Sequence, residues 1–176
     1  MRPVLLLSAP LLSALLLAAH PCLAAPRTIV LDPANTRVGF RAYVLSVLPI
    51  DGQFHRFDGR LTYDRADPAR CAVTVRLESA SLVLPDAAIT RDVLAPHFLN
   101  AAGFPWTIYR GTCDGAGIAG TLFLHGQTHR LRLALRGRGR LFIAVARIRR
   151  AAWGVTARPL LAGPVVRIRV RVRLPS

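Results

Sequence analysis

Lysine is absent from this chain, and all 24 basic residues are arginine. An absence this complete reflects genome composition, so the arginines are not read as a selection for bidentate phosphate recognition. Acidic residues are also scarce, nine in 176, and show no paired arrangement of the kind that acid–base catalysis uses. No G-x-S-x-G elbow surrounds Ser79 or Ser81, and no enzyme is expected. Repeats, coiled-coil heptads and low-complexity tails are missing as well. The longest apolar run, residues 4–19, is broken by Pro10 and falls short of the roughly 20 residues a spanning helix needs.

Arg2 precedes that run, and small residues lead from it to a cleavage site at Cys22-Leu23-Ala24. The segment reads as a cleaved signal peptide over residues 1–24, leaving one domain at 25–176 in a periplasmic or secreted location. Acylation at Cys22 is disfavoured, because His20 and Pro21 stand where a lipoprotein signal carries small residues. Cys71 and Cys113 are then the remaining thiols. An even pair in an exported chain reads as a disulfide, the alternative being two separately buried thiols.

What is abundant is positive charge and period two. The formal charge of +15, one unit less without Arg2, favours anionic surfaces such as phospholipid headgroups. Nucleic acid is the partner that charge alone suggests, but export and the lack of arginine–aromatic interleaving argue against it. In the last strand, residues 165–174, Val166, Ile168, Val170, Val172 and Leu174 alternate with Arg167, Arg169, Arg171 and Arg173, giving one apolar and one cationic face. Similar runs start at Arg27, Arg37, Val73, Trp106, Ile118, Arg130 and Leu141, and a long segment from Ile50 to Asp64 has Gly52 and Gly59 as bend points. A short helix fits Asp86–Leu94. Eight or nine strands with one helical insertion indicate an all-β antiparallel barrel or sandwich, and the long proline-free final strand favours closure.

Several blocks then occur in a specific order. Gly52-Gln53-Phe54 with Phe57-Asp58-Gly59 comes first, then Ala80-Ser81, Arg91-Asp92, Phe98-Leu99 and Phe104-Pro105. Gly120-Thr121-Leu122 with Gly126-Gln127-Thr128 follows, and Arg150-Ala151-Ala152-Trp153-Gly154 precedes the last strand. Together they resemble the YceI-like family of exported, lipocalin-like isoprenoid-binding proteins, over nearly all of the mature chain. Departures from the family pattern are Asn35-Thr36 after the first strand, Val93 after Asp92, and Tyr109. The resemblance implies a lipocalin-like antiparallel β-barrel of about eight strands, with one short helix near the mouth, enclosing an elongated apolar cavity.

A packed core and a lined cavity need the same residues, and the pattern alone does not separate them. With the resemblance, the expected ligand-binding residues are Val38, Phe40, Val44, Phe54, Phe57, Phe98, Phe104, Trp106, Tyr109, Leu122, Leu124, Phe142 and Trp153. Thr107 and Tyr109 facing inward is the alternative to Trp106. Arg91, Asp92 or Tyr109 would meet a ligand's polar head, or Arg91 and Asp92 would cap the helix or pair with each other. His125 and His129 flank a hairpin turn without a third ligand, and with His55 and His97 elsewhere no metal site is expected. The expected function is sequestration or carriage of an isoprenoid, quinone- or polyprenyl-like, or of another long-chain lipid, with no cofactor beyond that lipid. Peripheral contact with an anionic membrane fits the charge. The alternative is an accessory protein of membrane electron transport, partnered by a membrane cytochrome; a lipid-ester hydrolase using Ser81 or His125 ranks below it.

Overall fold

The computed structural model describes residues 26–64, 66–67, 69–158 and 160–175. The expected signal peptide, with Cys22, lies outside the described residues. The alternating runs form strands β1 (Arg27–Leu31), β2 (Thr36–Val44), β3 (Leu48–Phe54), β4 (Phe57–Tyr63), β5 (Cys71–Glu78), β6 (Leu82–Val83), β7 (Trp106–Cys113), β8 (Ile118–Leu124), β9 (Gln127–Arg138), β10 (Leu141–Arg149) and β11 (Val165–Arg173). One helix, α1 (Ala87–Leu94), lies between β6 and β7. The strands form one antiparallel sheet in the order β1-β4-β5-β7-β8-β9-β10-β11-β2-β3-β6.

Two corners roll this sheet into a half-barrel. Along β9, Gln127–Leu133 pairs with β8 while Ala134–Arg138 pairs with β10, so one long strand serves both walls. At the other corner, His55 and Arg56 alone separate β3, in the wall with β2 and β11, from β4, in the wall with β1 and β5. Ser81 holds this corner: its Oγ donates to the carbonyls of Arg56 and Glu78 at 3.1 and 2.7 Å, and its own carbonyl accepts from the His55 amide. Ser79 and Ser81 are buried hydroxyl-bearing residues of this turn.

The expected barrel is therefore present as a curled half-barrel of eleven strands, with β1 and β6 at its edges. The higher count arises because the 50–64 run breaks at His55-Arg56, and because the two-residue β6 is too short for a period to register. The ladders run in unbroken register through Gly52 and Gly59, so neither is a bulge. Gly52 lies directly across from Phe40, whose ring fills the place a Cβ would take, with Cζ only 2.6 Å from it. The final strand β11 is paired on both sides, to β10 and β2, which removes the exposed edge its apolar alternation would otherwise present. At the β8–β9 hairpin, His125 and Gly126 both take positive φ, the backbone a two-residue turn between right-twisted strands requires. Helix α1 starts at Asp86, whose carboxylate accepts from the Ile89 amide at 2.8 Å.

Cys71 and Cys113 stand opposite one another on neighbouring strands β5 and β7 and form a disulfide spanning 42 residues of sequence. Closing a loop of this length restricts the unfolded chain. Reduction, or the paired change Cys71→Ser and Cys113→Ser, should lower the unfolding free energy by about 3 kcal/mol. The shift in urea midpoint with and without reductant measures it, and an unchanged midpoint would show that the crosslink adds nothing to the fold.

Candidate ligand cavity

Alternation places one residue in two from each long strand on the inner face. Val38, Phe40, Ala42 and Val44 come from β2; Val73, Val75 and Leu77 from β5; Leu131, Leu133 and Leu135 from β9; and Val166, Ile168, Val170 and Val172 from β11. They surround a cavity of about 990 Å³, at the upper end of the range for small-molecule sites. The arginines of β11 point away from it and are exposed.

Nine of the thirteen expected ligand residues line this cavity: Val38, Phe40, Val44, Phe54, Phe98, Tyr109, Leu122, Leu124 and Phe142. Four do not. Trp106 and Tyr109 have opposite parity on one strand, so both cannot face inward; Thr107 and Tyr109 do, and Trp106 stands outside with the Arg76 guanidinium 4.6 Å from its ring centre. Phe57 opposes Leu77 across the β4–β5 ladder and packs against the core without reaching the cavity. The Phe104 ring meets His125 edge-on at 4.7 Å, above Gly126. Trp153 is buried beneath the β8–β9 hairpin, where its indole donates to the Leu122 carbonyl at 3.2 Å and His129 meets it edge-on. His125 is occupied there too, its Nδ1 donating to the Trp153 carbonyl at 3.0 Å. The residues missed were aliphatic, chiefly on β5, β9 and β11, where the alternation itself was the available signal.

Polar groups gather at the ends. The α1 end is walled by Ile89, Asp92 and Val93 of the helix, by Phe98, and by Arg158, Leu161, Ala162 and Gly163. Arg158 joins these parts: it contacts Asp92 through Nε and Nη2, both at 2.9 Å. This guanidinium, helped by His97 Nε2 at 3.0 Å, holds the Asp92 carboxyl below the usual carboxylate range. The sign follows from that direction: the contact is retained above the ordinary aspartate range and is lost only as pH falls through the depressed value. Of the alternatives open for Arg91 and Asp92, their mutual pair is absent: Asp92 pairs with a residue 66 positions away, and Arg91 is exposed.

Behind this latch Arg150 is buried. Its Nε, Nη1 and Nη2 donate to the carbonyls of Gly163, Val155 and Ala162 at 3.1, 2.7 and 2.9 Å, and it lies 5.7 Å from the Phe98 ring centre. Burial pulls its pKa below the ordinary arginine value. Among the described residues no carboxylate pairs with it. At the opposite end the lining includes Tyr63, Asp64, Arg140 and the disulfide. Between the ends, Tyr109 is buried with its hydroxyl 3.1 Å from the Ile118 carbonyl and 3.2 Å from that of Leu131, and burial pushes its pKa up to about 12. Tyr63 Oη and Thr107 Oγ1 are buried and have no hydrogen-bond partner among the described residues. The arrangement suits an elongated apolar molecule carrying few polar atoms.

The fold is shared with solved structures. BcnA of Burkholderia cenocepacia superposes with a TM-score of 0.69 at 19% identity, over 80% of this chain and 96% of that one. A polyisoprenoid binding domain from Saccharophagus degradans gives 0.60 at 12% identity, over 85% and 100%. Curated relatives include a UPF0312 protein of Vibrio cholerae, 30% identical over 101 residues that cover 54% of this chain and 53% of the relative. Another, from Yersinia pestis, is 30% identical over 122 residues that cover 66% and 64%. The chain spans about half the length of the Vibrio relative it matches. The YceI-like domain profile matches residues 30–174, nearly the whole described region, and the chain belongs to the YceI-like family.

Proposed function

We propose that this protein is an exported, non-enzymatic binder that holds one isoprenoid, quinone- or polyprenyl-like, or a comparable long-chain lipid inside the half-barrel. The observation that carries this reading is the cavity of about 990 Å³ walled by alternating aliphatic and aromatic side chains. A packed domain interior has few voids larger than a water molecule, so a space this large and this apolar favours an occupant of like polarity. The Saccharophagus neighbour, a polyisoprenoid binding domain by its description, supports the same class of ligand. The leader-like first 24 residues and the Cys71–Cys113 disulfide support export.

The driving force is burial of chain methylenes, about 0.8 kcal/mol each before ordering costs. Tyr63 Oη and Thr107 Oγ1 offer hydrogen bonds to a polar atom of the ligand or to an enclosed water. The test is displacement of a fluorescent polyene fatty acid by isoprenoid alcohols of increasing length. Affinity should rise with each added isoprene until the chain outgrows the cavity, then level off. Affinity independent of length, or no displacement, would contradict the reading.

A further inference from the structure

The α1 end carries an exposed apolar rim. Leu45, Val47 and Leu48 in and after the β2–β3 turn are 56%, 70% and 59% exposed, and Leu160, Leu161 and Ile89 stand beside the same opening. These pieces are physically joined: the Leu45 amide donates to the Leu161 carbonyl at 2.8 Å, Val44 bridges Ala162, and Arg158 ties the loop to Asp92 of α1. Leu45 and Ser46 hold φ of 50° and 63°, a region usually left to glycine or asparagine. A leucine kept there with its side chain in water is explained by something that covers it.

The wall beside the rim is strongly cationic. Across β10, β11 and β2, Arg147, Arg167 and Arg41 lie in one directly opposed row next to the rim, and Arg171 opposes Arg37 further along. Like charges directly opposite one another work against the sheet. On β2, β3, β10 and β11 the single carboxylate is Asp51, which pairs with Arg41. The other wall is basic too, carrying Arg60, Arg110 and Arg130 beside the pairs of Arg76 with Asp58 and of Arg132 with Asp114. Arg167 is also coupled to the rim, its guanidinium 5.4 Å from the Tyr43 ring centre while the Tyr43 carbonyl accepts from Gly163.

We infer that this end docks on an anionic phospholipid surface. Leu45, Val47 and Leu160 enter the headgroup boundary, the arginines of β2, β10 and β11 meet lipid phosphates, and the α1 end of the cavity faces the bilayer. Apolar tips beside a basic face distinguish such a surface from a nucleic-acid groove, which has no use for exposed leucine. Docking gives the proposed carrier its donor surface, yet it is measured on delipidated protein and stands or falls apart from the cargo.

The experiment is flotation of delipidated protein with vesicles of phosphatidylcholine alone or doped with phosphatidylglycerol. Binding is expected with the anionic vesicles, weakened by salt. The triple change Arg147→Glu, Arg167→Glu and Arg169→Glu should weaken it by about a hundredfold or more. Leu45→Ser with Val47→Ser and Leu160→Ser, at exposed positions that the fold does not need, should weaken it at unchanged charge. The triple change Arg60→Glu, Arg110→Glu and Arg130→Glu on the other wall makes the same change in net charge away from the rim and should have a much smaller effect. Retention of cavity lipid in these variants reports the cargo reading separately. Equal loss from either wall, absence of binding by the parent protein, or binding to duplex DNA that matches vesicle binding and ignores the leucine changes would each overturn the inference.

Discussion

Changing Arg150 to alanine is expected to lower the unfolding free energy by about 4 kcal/mol, a large share of the total for a domain of this size. The side chain is 7% exposed and bonds three carbonyls of the 155–163 segment. Truncation leaves the Val155, Ala162 and Gly163 carbonyls without their donor, and an orphaned buried acceptor costs about 1–3 kcal/mol. With no carboxylate partner, the cost is that of the carbonyls and of the lost packing on Phe98. Arg150→Lys should rescue only part, because an ammonium cannot place three donors in the fork geometry. Urea unfolding followed by tryptophan fluorescence measures both variants. A loss below about 1 kcal/mol for alanine would mean that water replaces the guanidinium without penalty. The same segment walls the α1 end of the cavity, so bound lipid should also exchange faster in the variant.

Filling the cavity should have the opposite signature, abolished binding with an intact fold. Ala144 lines it midway along β10, opposite Val170 of β11 and Leu135 of β9. Ala144→Trp directs an indole into space that holds no protein atoms. Lipid binding is expected to fall at least about tenfold, while the melting temperature holds or rises because the new ring gains contacts without displacing packed neighbours. Displacement titration with thermal unfolding reads both quantities. Unchanged binding would place the ligand elsewhere, and a large drop in melting temperature would show that the interior is already filled.

The wall of this site was legible in the sequence wherever period two ran unbroken. In β11 the even residues line the cavity and the odd arginines are exposed, as the alternation requires. Parity also decides β7, where Thr107 and Tyr109 face inward and Trp106 therefore stands outside. Trp153 is explained by its indole, which needs an acceptor and finds the Leu122 carbonyl 31 residues away. The segment 150–154, one of the blocks behind the family resemblance, now has a physical reading: Arg150 clamps the following loop, Trp153 anchors the hairpin, and Gly154 ends the turn at φ 71°. What the sequence hid were contacts between distant positions. The corner at His55-Arg56 depends on the Ser81 hydroxyl, and the end latch on Arg158 meeting Asp92. No local pattern encodes either pairing, since the two join residues 25 and 66 positions apart.

Native mass spectrometry of the protein purified from cells without added lipid shows whether the half-barrel holds a lipid. A mass excess in one-to-one stoichiometry is expected, released by organic extraction as a long apolar molecule of isoprenoid type and absent from Ala144→Trp. Recovery of the bare protein mass from parent and variant alike, with no lipid in the extract, would contradict it.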